Sequence, residues 1–423
     1  MEFIFTKKSK ITFAIFMAVG VISMILGFGA DDTAHHARFW SNILINGFFF
    51  FGISLGTLFF LALQYATEAS YLTVLKRVFE GITQYMWVGA AILIIFFAAS
   101  SLHWNHIYHW MDAAATSEYV IESTLGSDHP EYVAEMTEGA VKNEHFDHII
   151  AGKTAYLNQG FFWIRTLAYL GIWLFFVNLF RKRSLLEDQE GGTKIHFKNM
   201  VYSALFLVFF AYSSSAASWD WLMSIDTHWF STLYGWYVFS GIWVTAMITI
   251  VLLTLYLKSK GYLKEVNKSH MHDITKWMFA ISFLWSYLWF SQFVLIWYSN
   301  IPEEVTYYMT RIDHYTGLFF GMFAVNFIMP MVILMSRDAK RSIGYSLVVG
   351  LILFVGHWFD VYLLVMPGTV GADWNFSDFG IYEIGTFIGF LGLFLFTVFR
   401  SLAKAPLMVK NHPFLEESKH LHI

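Results

Sequence analysis

Residues 343–366, IGYSLVVGLILFVGHWFDVYLLVM, decide the fold class of this chain. Their only acidic or basic side chains are His357 and Asp360. A helix of this length crosses the ~30 Å hydrocarbon core of a bilayer. The sequence contains ten apolar runs of this kind, at about 11–30, 39–65, 82–102, 159–180, 199–218, 233–257, 274–299, 315–335, 343–366 and 382–403. We therefore predict an all-α, polytopic membrane protein with ten transmembrane helices.

The composition supports this class and excludes several cofactors. Of 423 residues, 57% are hydrophobic and 14% are charged, whereas a soluble protein carries about 25% charged residues. The chain has no cysteine, which excludes Fe–S clusters, disulfides, thiol catalysis and covalently attached c-type haem. A b-type haem needs paired axial ligands at membrane depth, where only His357 qualifies. We therefore expect this chain to bind no redox cofactor of its own.

The lysines and arginines predict the orientation. With the N-terminus in the cytoplasm, 22 of the 27 lie on the cytoplasmic side, four lie in outer loops (Arg38, Lys142, Lys153 and Arg311), and Arg165 lies inside a span. Such a bias is the positive-inside signal, so both termini are expected in the cytoplasm. Residues 66–81 read as a short interfacial helix on that side.

Similar segments recur in the same order, which indicates an internal repeat. ITQYMW at 82–87 resembles ITKWMF at 274–279, and RKRS at 181–184 resembles AKRS at 339–342. We predict two parallel copies of a four-helix unit. The expected division is an N-terminal anchor helix (1–38), a first bundle (39–232) with an outer insert (103–155), a second bundle (233–380), and a tenth helix with a cytoplasmic tail (381–423). Gly52-x-x-x-Gly56 and Gly385-x-x-x-Gly389 permit close helix contact.

Ionisable and polar groups near hydrocarbon are expensive and mark functional sites, and here they gather near the outer face. His357 and Asp360 share one helix face because they are three residues apart. The full set of proton-path or quinone candidates is Arg165, Asp220, Asp226, His228, Gln292, Tyr298, Glu303, Glu304, His357, Asp360 and Glu383. Two structural alternatives stay open: Arg165 pairs with Asp360, and Asp220, Asp226 and His228 cap an outer turn. The inner half is expected to hold only neutral groups such as Ser213, Ser282 and Asn326.

Three histidines at the start of the insert raise the question of a metal site. His103, His106 and His109 are spaced three residues apart, so they do not share one face of a regular helix. On that reasoning we expect no metal ligands in this chain.

Imidazole, carboxylate, amide and aromatic groups near one membrane face suit quinol oxidation, in which protons go to His or carboxylate acceptors. Electrons would then leave to a partner protein. WDWLMSIDTHWFST at 219–232, WFSQFVLIWYSNIPEE at 289–304 and GHWFDVY at 356–362 resemble the membrane subunits of bacterial alternative complex III, relatives of the polysulfide-reductase (NrfD-like) subunits. The length resembles that of the shorter of the two membrane paralogues in that complex.

The resemblance implies a subunit of a respiratory quinol:cytochrome c oxidoreductase in the bacterial inner membrane, not catalytic alone, which contributes to quinone binding, to proton translocation, or to both. It implies quinol, menaquinol in the first instance, as ligand. The implied partners are a paralogous NrfD-like membrane subunit, an Fe–S subunit, multihaem cytochrome c subunits that hold haem c, and lipids, with no nucleic acid. A secondary transporter with an outer polar vestibule and a purely structural membrane scaffold are the alternatives.

Overall fold

The computed structural model describes residues 2–125, 130–374 and 379–422. Within them, ten helices are long and apolar enough to cross a membrane, so the chain is an all-α, polytopic membrane protein. They are α1 (Lys7–Ala30), α2 (Ala34–Ala66), α3 (Thr73–Ser101), α4 (Gln159–Glu190), α5 (Lys194–Ile225), α6 (Leu233–Ser259), α7 (Lys268–Ser299), α8 (Pro302–Leu334), α9 (Ile343–Thr369) and α10 (Ile381–Leu402). Short helices lie at Ala113–Thr116, His148–Ala151, Arg337–Arg341 and Leu415–Lys419.

The helices alternate in direction, so the loops gather at two ends of the bundle. We call the end that carries residues 102–158 the insert face, and the end that carries both chain termini the terminal face. Large apolar side chains such as Ile164, Val208 and Val332 point outward and are 68–77% exposed. Such a surface is the one that a helical membrane protein presents to lipid.

Helices α2 and α6 form the buried centre of the molecule and pack on each other. The contacts around them follow the order of the predicted repeat: α2 packs on α3 and α5, and α6 packs on α7 and α9. Crossed contacts join the units, because α2 also touches α9 and α6 also touches α5. At Gly56 of α2, an added Cβ would lie 2.6 Å from the carbonyl oxygen of Ile242, so the glycine permits this close approach.

Helices α1 and α10 pack side by side. Gly20 lies directly against Gly389, and Gly385 lies against the side chain of Ser23. Both Gly-x-x-x-Gly motifs are therefore at helix contacts, as small residues are in membrane proteins.

The predicted interfacial helix at 66–81 is wrong in its placement. Residues 72–83 are buried throughout. They form the first part of α3, where Lys76–Thr83 is followed by a break and by Met86–Ser101. The segment is amphipathic, but its polar face meets charged groups of α4 inside the protein and not the membrane surface.

The insert contains a small antiparallel sheet in the order β2-β1-β3, formed by β1 (Tyr119–Ile121), β2 (Tyr132–Val133) and β3 (Ala140–Lys142). Tyr119 pairs with Val133 on one side and with Lys142 on the other. This sheet is the only one in the described residues, and an isolated β-bridge joins Glu2 to Pro406.

Candidate functional site

Asp360 of α9 lies in the protein interior and is held by neutral donors. Its side chain is 3% exposed. The indole nitrogen of Trp285 donates a hydrogen bond to Oδ2 at 2.8 Å, and the hydroxyl of Tyr237 donates a short one to Oδ1. Among the described residues no lysine or arginine forms an ion pair with this carboxylate. Its charge is therefore not balanced by a fixed cation.

His357 lies one helical turn before Asp360 and is 1% exposed. Its Nδ1 is 3.8 Å from Asp360 Oδ2, which is longer than a hydrogen bond. Neither ring nitrogen has a hydrogen-bond partner within the part of the chain that is described. The ring stands edge-on to Trp285, with the centroids 5.1 Å apart. An unpartnered imidazole beside a carboxylate is available to take up or release a proton.

A local widening of α8 places a polar amide next to this pair. Residues 324–328 form a π-turn. Pro330 has no N–H to donate to the carbonyl of Asn326 four residues earlier, and such an interruption favours a π-turn. The side chain of Asn326 lies against Gly356, and both of its amide atoms are buried without a partner in the described residues.

A narrow polar cavity lies on the insert-face side of Asp360 and admits only water-sized guests. Tyr237 lines it and also bonds Asp360, so the cavity and the carboxylate share a side chain. Gln292 lines it too, and its Oε1 is buried without a described partner. The other lining residues are Trp289, Tyr307, Tyr308, Arg311, Phe319, Met322, Leu363 and Leu364.

Arg311 closes this cavity and connects it to the loop that follows α5. Its guanidinium donates to the carbonyl oxygens of Tyr307 at 2.8 Å and Leu363 at 3.1 Å, and lies 3.4 Å from Asp226 Oδ2. Trp229 stacks on Tyr307 with the ring centroids 3.9 Å apart. The expectation that Arg311 lies in an outer loop is wrong, because α8 begins at Pro302 and includes it.

Arg165 and Asp220 form a separate site between α4 and α5. Both N–O distances of this two-pronged ion pair are 2.9 Å. The alternative in which Arg165 pairs with Asp360 is therefore wrong. The rings of Tyr156 and Phe161 lie 4.0 and 4.1 Å from the guanidinium carbon, so aromatic faces cover the cation.

The remaining candidates lie apart from Asp360. His228 is 57% exposed and 2.6 Å from Asp147. Burial raises the pKa of Asp147, but hydrogen bonds from the Ile150 amide, from His228 and from the Ile149 amide outweigh it and lower the pKa overall. Tyr298 is 83% exposed. Glu303 and Glu304 occupy the first turn of α8 after Pro302.

Glu383 is buried at the start of α10 and is engaged in structural contacts. Its Oε1 accepts from Arg38 Nε at 2.7 Å, and its Oε2 accepts from the Gly380 amide at 2.9 Å. The carboxylate thus caps α10 and ties it to α2. A carboxylate whose two oxygens are both bonded in this way stabilises the contact between α2 and α10.

The structure places His357 beside Asp360, and Tyr237 connects Asp360 to the cavity that Gln292 lines. Arg311, which lines the same cavity, contacts Asp226. It does not place Arg165, Asp220, Tyr298 or Glu383 in the same pocket. The sequence argument missed Tyr237, Trp285 and Arg311. A proline followed by two glutamates is a helix-start signal, and at 302–304 it could have extended α8 back over Arg311.

A second cavity lies at the terminal face and has ionisable side chains in its lining. Lys76 of α3 is buried and its Nζ is 2.8 Å from Glu187 Oε2 of α4. Arg77 is 2.6 Å from Glu80 and also pairs with Asp188. His196 and His412 line the cavity beside Lys76.

The segment that follows α10 covers this cavity. Asn411 donates to the carbonyl of Asp188 at 2.8 Å, and His412 is buried. Burial, with the nearby charge of Lys76, lowers the pKa of His412 to about 2. The imidazole is therefore neutral at physiological pH.

Fold and site together define a multi-pass helical membrane protein with a buried carboxylate that pairs with no lysine or arginine of the described residues, and with an imidazole one turn away that has no hydrogen bond to them. A comparison with protein-family models finds no match, and a search of curated proteins finds none either.

Proposed function

We propose that this chain is a membrane subunit of a bacterial respiratory quinol:cytochrome c oxidoreductase of the alternative complex III type, in which Asp360 and His357 transfer protons. The observation that carries the proposal is that Asp360 is buried and bonded by Tyr237 and Trp285, with no lysine or arginine of the described residues paired to it and only the imidazole of His357 nearby, at 3.8 Å. A buried charge without a fixed counter-ion is costly. Uptake of a proton removes that cost, and so this carboxylate is suited to exchange one.

A route for protons toward the insert face is supported by the adjoining groups. Tyr237 bridges Asp360 to the cavity that Gln292 and Arg311 line. Arg311 reaches Asp226, whose side chain is 25% exposed. Water in the cavity would complete hydrogen-bonded contacts between these groups. The cavity is too narrow for a quinone ring, so the buried path suits protons only.

A groove between α8 and α9 is suited to quinone. It has a volume of about 490 Å³ and an apolar lining that includes Gly317, Gly321 and Gly356. Asn326 touches Gly356, and His357 is the next residue of α9. An apolar groove with few polar groups is the usual form of a small-molecule site. We propose that a quinol, menaquinol in the first instance, occupies the groove.

The proposal also includes location and partners. The excess of lysine and arginine at the terminal face supports a cytoplasmic position for that face in the bacterial inner membrane. Electrons from quinol then pass to an Fe–S subunit and to multihaem cytochrome c subunits, beside a paralogous NrfD-like membrane subunit. This chain contributes binding and proton transfer, and no redox step of its own.

Photolabelling of the native complex tests the proposal. The complex is purified through a tag on this chain, assayed for haem and iron, and irradiated with a photoreactive menaquinone analogue. We expect haem and iron to co-purify, and labelled peptides from α8 and α9 that an excess of unlabelled menaquinol protects. Labelling confined to another subunit would remove the quinone role, and purification without haem or iron would remove the respiratory complex.

A further inference from the structure

The chain leaves the helix at the end of α3 in a way that brings two histidines to one carboxylate. The helix ends at Ser101, and His103 adopts a left-handed backbone conformation with φ of 58°. His103 Nδ1 lies 3.1 Å from Asp112 Oδ1, and His106 Nδ1 lies 2.9 Å from the same oxygen. The helical spacing that argued against a metal site therefore does not apply, because the segment is not helical here.

We propose that His103, His106 and Asp112 bind a divalent transition-metal ion, with zinc as the reference ion, on the insert face. Two imidazoles and a carboxylate are a ligand set that zinc uses when its fourth position is open to water. This inference does not depend on the proposed respiratory function, since it concerns a different face and different residues.

The separations fit the ion. Neighbouring ligand atoms of a tetrahedral zinc site lie about 3.3 Å apart when the bonds are about 2.0–2.1 Å. The two nitrogen–oxygen separations are 2.9 and 3.1 Å, so binding requires small side-chain shifts. All three candidate ligand atoms lie within 4.8 Å of one another. The ion would replace the protons that the two nitrogens share with Asp112.

Charge and access also favour a cation. The cluster offers one carboxylate and two imidazoles, which are ligand types that zinc takes. The side chains are 47%, 32% and 17% exposed for His103, His106 and Asp112, so an ion can enter from solvent. By contrast, the buried group of Glu187, His196 and His412 at the terminal face has Lys76 bonded to its carboxylate, which opposes a cation.

A further donor comes from the first turn of α2, the 3₁₀ turn Ala34–His36. The ring of His35 lies 4.2 Å from the ring of His106, centroid to centroid. His35 and His36 both have left-handed backbones, with φ of 52° and 53°, a conformation that is strained for residues other than glycine. A metal bound by His106 and His35 would tie the first turn of α2 to the insert, so His35 is a candidate for the fourth position.

Zinc titration of the purified full-length chain, washed with EDTA and followed by calorimetry, tests the proposal. The variants are His106→Ala, Asp112→Asn and, as a matched control from the same segment, His109→Ala. His109 is exposed and is not part of the cluster. Loss of an outer-shell partner of a metal ligand typically lowers metal affinity by about 10–100-fold. Loss of a ligand itself should lower the zinc affinity by at least as much. We expect that loss for the first two variants and an unchanged affinity for the control.

Two further readouts separate binding from folding. Thermal unfolding without metal should be alike in all four proteins, because the cluster lies on the surface. Co²⁺ in place of Zn²⁺ should give the intense visible absorption of a tetrahedral site in the wild type and in His109→Ala only. Zinc affinities that do not differ among the four proteins, or an equal loss in His109→Ala, would overturn the proposal.

Discussion

The carboxylate of Asp220 and the guanidinium of Arg165 form a two-pronged ion pair with both N–O distances at 2.9 Å. Asp220 is 0% exposed and Arg165 is 7% exposed. Asp360, at the same end of its own helix, has neutral donors instead. The two buried aspartates thus differ in what balances their charge, and in the proposed function this difference separates a structural role for Asp220 from a proton-exchanging one for Asp360.

Removal of one partner of the Arg165–Asp220 pair should destabilise the protein. Arg165→Met leaves Asp220 buried and unpaired, which costs about 3–5 kcal/mol. Unfolding of the purified chain in a denaturant series measures the loss. The double variant Arg165→Met/Asp220→Leu removes both charges and should recover most of the stability. A single variant as stable as the wild type would show that the pair contributes nothing.

Asp360→Asn should block proton transfer without unfolding the chain. The asparagine oxygen can still accept from Trp285, and its amide can donate to the oxygen of Tyr237, so the packing is kept. A missing proton-transfer group costs about 10²-fold or more. We expect proton translocation by the complex to fall by about that factor, while quinol:cytochrome c electron transfer persists because this chain supplies no redox group.

Proton release from reconstituted vesicles and cytochrome c reduction are measured on the same preparation. Asp360→Glu is the matched control, since it keeps an exchangeable proton. Unchanged proton release in Asp360→Asn would rule out the assigned role. Loss of electron transfer together with proton release would assign quinol chemistry itself to this site.

The sequence predicts the ten spans well because bilayer thickness imposes their length. Nine of the predicted starts lie within eleven residues of the observed helix starts, and the start of α8 is missed by thirteen, from 315 to Pro302. The sequence analysis therefore placed Arg311 in an outer loop and did not include it among the candidate site residues. The stretch 302–314 is less apolar than the rest of α8, and it buries Tyr307, Tyr308 and Arg311 against other protein groups. Hydropathy alone does not distinguish such a helical stretch from a loop.

The composition of the site was less predictable than the spans. The i, i+3 spacing correctly places His357 beside Asp360, because both lie on one helix. The partners of Asp360 come from α6 and α7, and no local pattern relates Tyr237 or Trp285 to it. Likewise, the sequence predicts Lys76 and Glu187 as surface charges, whereas the structure buries both where α3 packs inside the protein. Contacts between distant segments depend on helix rotation, which periodicity leaves open.

Acid should destabilise the native chain through His412. The pKa of this imidazole falls from 6.5 to about 2 in the folded protein because of burial, and because of the charges of Lys76, His196 and Arg77. Below pH 6.5 the unfolded chain takes up a proton that the folded chain does not, so stability falls as the pH falls from about 6.5 toward 2. The cost at pH 5 is about 2 kcal/mol.

His412→Gln removes this titration and should lose less stability than the wild type between pH 7.5 and pH 5. Thermal unfolding at the two pH values measures the difference. His420→Gln is the matched control, because His420 is exposed in the same tail. If the control flattens the pH dependence as much as His412→Gln does, the effect does not arise from the buried imidazole.

A side chain at Gly389 should separate α1 from α10. Gly389 lies against the backbone of Gly20, so Gly389→Val has no flexible neighbour to displace. Overpacking typically costs about 1–3 kcal/mol, and we expect the upper end because backbone must move.

The matched control is Gly171→Val on α4, where an added Cβ meets nothing within 4 Å. Thermal unfolding of both variants is compared, with limited proteolysis of the N-terminal helix as a second readout. Since Gly and Val differ in helix propensity in the same way at both sites, only the packing term distinguishes them. Equal unfolding temperatures for the two variants would show that α1 and α10 do not depend on this contact.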